Sequence, residues 1–181
     1  MNLSKLILRI FGWKVEITTP DYPKCLICVA PHTSNWDFIL GELAYRSIGR
    51  KAGFLMKEQW FRWPLGYIFR SMGGIPVNKQ RGSSLTDVIV DKYRNSDKLV
   101  LAITPEGTRS RTSNWRHGFL HIARQANVPL LLGAIDYKKK YIEIKTEFTP
   151  TSDVDSDLAA VKRFYSKFNA KYPEKFSTDN E

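Results

Sequence analysis

Two short segments carry residue types that could do chemistry. Pro31-His32-Thr33-Ser34-Asn35-Trp36-Asp37 sets an imidazole five positions before a carboxylate. Thr104-Pro105-Glu106-Gly107-Thr108-Arg109-Ser110-Arg111 gathers an acid, a glycine, hydroxyls and two guanidinium groups. Within one continuous helix, positions five apart stand roughly 140° around the axis, so His32 and Asp37 would not touch. If His32 lies in a loop and Ser34 caps the helix that follows, Asp37 falls at the third helical position and can turn back. A carboxylate there fixes the imidazole tautomer and stabilises the imidazolium formed when the ring takes a proton. The helix N-terminal dipole opposes charge on His32 before that step. The same residues have a plainer use, with Asp37 completing a capping box on Ser34 and His32 satisfying a local backbone group. The spacing leaves both uses open. The second segment has the makings of an anion cradle, with forked guanidinium donors beside a glycine that lets backbone come close.

Other candidate residues carry less. Cys25 and Cys28 have C-x-x-C spacing but sit inside the apolar run Cys25-Leu26-Ile27-Cys28-Val29-Ala30. A zinc site needs a second pair or nearby histidines, and a redox pair needs an exposed thiol at a helix start. The expectation is two reduced, buried thiols in a reducing compartment. His117 and His121 have the i, i+4 spacing of a helical metal pair but lack the glutamate of H-E-x-x-H and a third ligand, so no metal is expected.

Both chemical segments follow apolar runs, and the runs set the elements that must position them. Strand patterns occur at 24–30, 52–56, 74–77, 98–103, 128–135 and 141–147, and helical patterns at 36–48, 84–95, 115–126 and 156–170. The alternation predicts an α/β fold in one domain over 1–181: a mostly parallel or mixed sheet of about six to seven strands flanked by helices. The run 141–147 alternates polar and apolar residues, which predicts an antiparallel edge strand. Ligands of open α/β sheets gather beyond the strands' carboxyl ends. His32 and Glu106 lie just past two such ends and can face one cleft.

A short amphipathic N-terminal helix is also expected. Leu3, Leu6, Ile7, Ile10 and Phe11 share a helical face, with Lys5 and Arg9 elsewhere. Such a helix, within 1–20, either docks on its own core or lies on a membrane surface with Trp13 at headgroup level. The segment has no small-residue cleavage site, so a signal peptide is not expected. Residues 177–181 are expected to form a flexible tail.

A hydrophobic content of 43% with 25% charged residues describes an ordinary globular chain. The net charge of +10 calls for an anionic partner, and ten Phe, eight Tyr and five Trp accompany it. Basic plus aromatic suits a nucleic-acid surface and a membrane interface equally. No apolar run reaches the ~18 residues of a transmembrane helix. The segment Trp60–Arg70 is aromatic and basic together, which fits a bilayer interface as well as a core. Lys138-Lys139-Lys140 reads as a solvated turn, with anionic lipid or an acidic carrier protein as the alternative partner.

The combination resembles the glycerolipid acyltransferase superfamily, the lysophosphatidic acid acyltransferases and their relatives. Pro31–Asp37 is similar to that family's N-H-x-x-x-x-D block, and Thr104–Ser110 to its F-P-E-G-T-R-S block. Between them, Gly73-Gly74-Ile75-Pro76-Val77-Asn78-Lys79 resembles the middle block, a glycine and apolar residues followed by a basic position. Val128-Pro129-Leu130-Leu131-Leu132-Gly133-Ala134 looks like the fourth, an apolar strand carrying proline. The order and spacing agree from Ala30 to Ala134. Pro31 stands where asparagine is usual, Thr104 where phenylalanine is, and Lys79 where arginine is; lysine keeps the charge without the fork.

The resemblance implies transfer of a fatty acyl group from a thioester, acyl-CoA or acyl-carrier protein, to the hydroxyl of a lyso-glycerophospholipid in phospholipid biosynthesis. By family analogy the acceptor is 1-acylglycerol-3-phosphate; a lyso-aminolipid such as lyso-ornithine lipid is the alternative. His32 and Asp37 would be the catalytic pair, with Lys79, Glu106, Gly107, Thr108 and Arg109 around the acceptor's phosphate. No cofactor or metal is implied beyond the acyl donor as co-substrate. The aromatic segment 60–70 would serve the interface or the acyl-chain entrance. The place implied is cytoplasmic, attached peripherally to the inner face of an anionic membrane. Two other classes are weaker: a silent lipid- or carrier-binding protein, which leaves His32 and Asp37 without a use, and a nucleic-acid binder, for which no recognition motif exists.

Overall fold

The computed structural model describes residues 2–63, 65–77 and 84–179. The long apolar runs form the middle of a seven-stranded sheet in the order β1-β7-β6-β2-β5-β3-β4. The strands are β1 (Lys14–Ile17), β2 (Lys24–Ala30), β3 (Gly53–Lys57), β4 (Gly74–Val77), β5 (Leu99–Ile103), β6 (Leu130–Asp136) and β7 (Tyr141–Phe148). All neighbouring pairs run parallel except β6 and β7. KCLICVA and LLLGAID make β2 and β6 central because strands covered on both faces can be apolar throughout.

Alternate residues of those strands feed two layers. Leu26, Cys28, Ala30, Leu101, Leu130, Leu132 and Ala134 face one side and pack with α4 (Leu85–Arg94), α5 (Gly118–Ala126) and α6 (Val154–Tyr165). Cys25, Ile27 and Leu131 face the other side, with Tyr45 of α2 (Asn35–Ser47). There α1 (Leu3–Ile10) also docks, its Leu8 buried among Leu40, Ala44, Ile135 and Ile142. The helix therefore docks through Leu8, outside the face expected from the sequence, whereas Leu3, Leu6, Ile10 and Phe11 of that face stay exposed.

Two expectations are corrected, for β7 and for the chain's end, and the segment 60–70, open between core and interface, takes a definite form. Strand β7 is antiparallel to β6 but is not the edge, because β1 adds outside it from Lys14↔Tyr141 to Ile17↔Ile144. The segment 60–70 forms a 3₁₀ turn at Glu58–Phe61 and α3 (Leu65–Ser71), with Phe61 buried under the Arg70 guanidinium and Trp63 and Tyr67 exposed. Finally, Ser177–Asp179 are not a frayed tail. Trp115 Nε1 donates to the Ser177 carbonyl at 3.0 Å, and Lys162 Nζ donates to the Asp179 carbonyl at 2.8 Å. Asn180 and Glu181 lie outside the described residues.

Candidate active site

Strand β2 pairs parallel with β5 on one side and with β6 on the other, so all three carboxyl ends open at the same edge. The segment after β2 carries His32, that after β5 carries Glu106 to Arg109, and that after β6 begins with Tyr137. The sheet itself brings these distant segments together.

Ser34, in extended backbone, caps α2 through its hydroxyl, which accepts from Trp36 N. Asp37 Oδ2 turns back and accepts from the backbone N–H groups of Thr33 and Ser34, both at 2.7 Å. That oxygen also stands 3.6 Å from His32 Nδ1. The capping use and the orienting use are thus one arrangement: the carboxylate that ends the helix is the charge beside the imidazole. At 3.6 Å the contact is electrostatic rather than a hydrogen bond. The other Asp37 oxygen accepts from the Tyr137 hydroxyl at 2.6 Å.

The His32 side chain is 21% exposed, so the ring is seated but reachable. Burial lowers its pKa, the Arg109 charge lowers it further, and Asp37 opposes both. Burial and Arg109 thus favour the neutral ring, whose Nδ1 is the nitrogen that faces Asp37.

Glu106 is buried, and its Oε1 accepts from His32 N at 2.6 Å. Burial pushes this carboxyl up to about 8, with the His32 N–H pulling down and the Asp37 charge pushing up. Gly107 has φ +63°, a conformation that favours glycine, and a Cβ there would meet Arg116 Nε at 2.6 Å. The Thr108 hydroxyl accepts from Ser110 N at 3.2 Å, shaping the turn. Arg109 is exposed and its Nη1 donates to Asn35 Oδ1 at the start of α2. The structure therefore gathers His32, Asp37, Glu106, Gly107, Thr108 and Arg109 at one edge, with Glu106 bonded to the His32 loop. Lys79 lies outside the described residues; the preceding part of its block forms β4.

With this geometry in place, the comparisons are decisive for the family. The family model described as Acyltransferase matches residues 14–134, two thirds of the chain and the whole of the His32 and Glu106 segments. This chain belongs to the acyltransferase family. No curated protein matches it. Its fold is similar to the crystal structure of the 1-acyl-sn-glycerophosphate (LPA) acyltransferase PlsC from Thermotoga maritima. That match has a TM-score of 0.61 at 18% identity over 93% of this chain and 78% of the other.

In this acyltransferase both thiols lie inside β2. Cys25 and Cys28 are free and buried, and burial pushes the Cys25 thiol up to about 12 and the Cys28 thiol up as well. The His117 and His121 rings meet edge to face, centroids 5.3 Å apart. Arg111 pairs with Asp179 at 3.3 Å. Among Lys138–Lys140, Lys139 N donates to Asp136 and Lys140 Nζ to the Phe11 carbonyl, so the turn ties β6 to the end of α1. Two residues of the site have no role assigned from the sequence, Asn35 and Tyr137. The available signal for Tyr137 was its position, the first residue past a strand parallel to the one that delivers His32.

Proposed function

We propose that this acyltransferase moves a fatty acyl group from a thioester donor, acyl-CoA or acyl-carrier protein, to the hydroxyl of a lyso-glycerophospholipid. The acceptor that fits best is 1-acylglycerol-3-phosphate. The observation that carries this reading is that the loops after β2 and β5 bring the His32–Asp37 pair and the Arg109 guanidinium, bonded to Asn35, to one edge of the sheet. One group suits an alcohol and the other the phosphate beside it.

His32 Nε2 takes the hydroxyl proton as the oxygen attacks the thioester carbonyl, and Asp37 stabilises the resulting imidazolium. The tetrahedral intermediate collapses; the C–O bond has formed, the C–S bond breaks, and His32 returns the proton to the departing thiolate. No acyl-enzyme is required. The sequence contains no G-x-S-x-G elbow, and the raised Cys25 and Cys28 thiols are poor nucleophiles. Arg109 holds the phosphate by forked donors, Lys79 adds a second cation, and Gly107 and Thr108 contribute backbone and hydroxyl. Glu106 acts from behind, through the His32 backbone.

The reading includes peripheral attachment to the anionic inner face of the membrane, where the lipid acceptor would be met. It is supported by the exposed Leu3, Ile10 and Phe11 of α1, by exposed Trp63 and Tyr67, and by the net charge of +10. No helix among the described residues is long and apolar enough to cross a membrane. The test is purified protein with labelled acyl-CoA or acyl-carrier protein and a panel of lyso-lipids, including lysophosphatidic acid and lyso-ornithine lipid. Lysophosphatidic acid should be acylated and His32→Ala should be silent; turnover surviving in that variant overturns the mechanism.

A further inference from the structure

The carboxylate beside His32 is held by more than its helix. Asp37 Oδ2 already has the Thr33 and Ser34 N–H groups, which suffice for a capping box. Oδ1 has no part in that cap, yet it accepts from the Tyr137 hydroxyl at 2.6 Å, a hundred positions along the chain. We propose that Tyr137 is a positioning residue of the acyl-transfer site, whose hydroxyl bond to Oδ1 keeps Asp37 Oδ2 facing His32 Nδ1. The proposal rests on the general-base reading of His32.

Tyr137 is itself fixed on several sides. Its N–H donates to the Asn169 carbonyl at 2.9 Å. Its ring meets Trp13 edge-on, centroids 5.2 Å apart at 88°. Lys171 Nζ lies 5.7 Å from the ring centroid and also caps Trp36 and Tyr172. The backbone of Tyr172 donates to the Thr33 hydroxyl at 3.3 Å, closing a ring of contacts around the His32 loop. Burial, the bond to Asp37 and the charges of Asp37 and Tyr172 all favour the neutral phenol, which therefore remains a donor. A carboxyl torsion is broad and two-fold when unrestrained. Three donors on two oxygens, from α2 and from β6's exit, leave Asp37 one orientation. The family match ends at residue 134, so this contact lies beyond it.

The bond has an electrostatic consequence that packing does not share. A donor on Oδ1 draws charge from the carboxylate and weakens its hold on an imidazolium. The charged and titratable groups around His32 are Asp37 and Arg109, with Glu106 on its backbone; those around Tyr137 are Asp37, Tyr172 and Lys171. Tyr137→Phe keeps the ring against Trp13 and removes only the hydroxyl.

Two measurements on Tyr137→Phe test the proposal: the pH profile of kcat/KM, and an imidazole NMR titration of His32 assigned by its loss in His32→Ala. The expected result is a kcat lower by roughly tenfold with donor KM unchanged. The His32 pKa and the acid limb of the profile should both move to higher pH. In an Asp37→Asn background the same change should have little further effect. Wild-type kcat and an unmoved His32 titration in Tyr137→Phe overturn the proposal, as does a full additional loss in the Asp37→Asn background. An active His32→Ala instead overturns the base reading, and the NMR titration still reports on the Tyr137 bond because it needs no substrate.

Discussion

The backbone N–H of His32 donates to Glu106 Oε1 at 2.6 Å, joining the segment that leaves β2 to the one that leaves β5. The bond fixes where the imidazole stands relative to Arg109, three residues past Glu106. A short loop after a parallel strand has few backbone partners of its own, so a buried carboxyl from the neighbouring strand end supplies one. The acid of the Glu-Gly-Thr-Arg run thus bonds the backbone of the neighbouring loop.

Glu106→Ala leaves the His32 N–H buried without a partner, at a cost of about 1–3 kcal/mol, and loosens the ring. Glu106→Gln keeps an acceptor. The pH dependence separates the two effects. The Glu106 carboxyl is raised from 4.5 to about 8 in the folded chain, chiefly by burial. The folded state then binds more protons than the unfolded one between those values, so this group's contribution is full below pH 4.5 and lost as pH rises through 8. Thermal melts should show Glu106→Gln close to wild type at pH 5 and more stable than wild type at pH 9. An unchanged difference between the two pH values would remove the buried-acid assignment.

Arg109 has two separable effects. As a fork it should bind acceptor phosphate, and as a charge it lowers the His32 pKa. Arg109→Ala should raise acceptor KM by tenfold or more, on the order of one charged hydrogen bond, and move the acid limb of kcat/KM to higher pH. Arg109→Lys should restore the limb but not the KM, since lysine keeps the charge without the planar fork. Steady-state kinetics across pH 5–8 read both.

Gly107 combines φ +63° with a Cβ position 2.6 Å from Arg116 Nε and 2.9 Å from its Cδ. Gly107→Ala should destabilise the fold by about 1–2 kcal/mol from the backbone alone, and more while Arg116 stands in place. Adding Arg116→Ala should recover the steric part and leave the backbone part. Denaturant melts of the two single variants and the double variant separate these contributions.

Much of this arrangement is legible in the sequence, for an identifiable reason. Runs such as Cys25–Ala30 and Leu130–Ala134 are buried on both faces, so local apolarity and the final fold agree. The Ser34 cap and Asp37 are three positions apart, within reach of local rules. Lys14–Ile17 is four residues with a half-exposed face, too short to announce a strand, and overlooking it turned β7 into an edge. The helix at Leu65–Ser71 spans only two turns, and its aromatic neighbours mask any periodicity. Residue type says nothing of whether Glu106 turns inward to His32 or outward to a ligand. Tyr137 meets Asp37 only because β6 pairs beside β2, a tertiary fact.

The exposed side of α1 separates membrane attachment from folding. Leu8 packs among Leu40, Ala44, Ile135 and Ile142, and Asn2 Nδ2 donates to the Arg46 carbonyl at 2.6 Å. Removing residues 1–13 would therefore open the core as well as delete a surface. Leu3, Ile10 and Phe11 are 71%, 70% and 64% exposed, so Leu3→Gln, Ile10→Gln and Phe11→Gln together should leave the melting temperature nearly unchanged. If this face enters the interface, losing three apolar side chains at ~1 kcal/mol or more each should weaken binding to anionic vesicles by at least tenfold. Sedimentation with phosphatidylglycerol vesicles at low and high salt measures this, the salt series isolating the contribution of the basic surface. Equal binding by the wild type and the triple variant would remove α1 as the attachment face and direct attention to Trp63 and Tyr67.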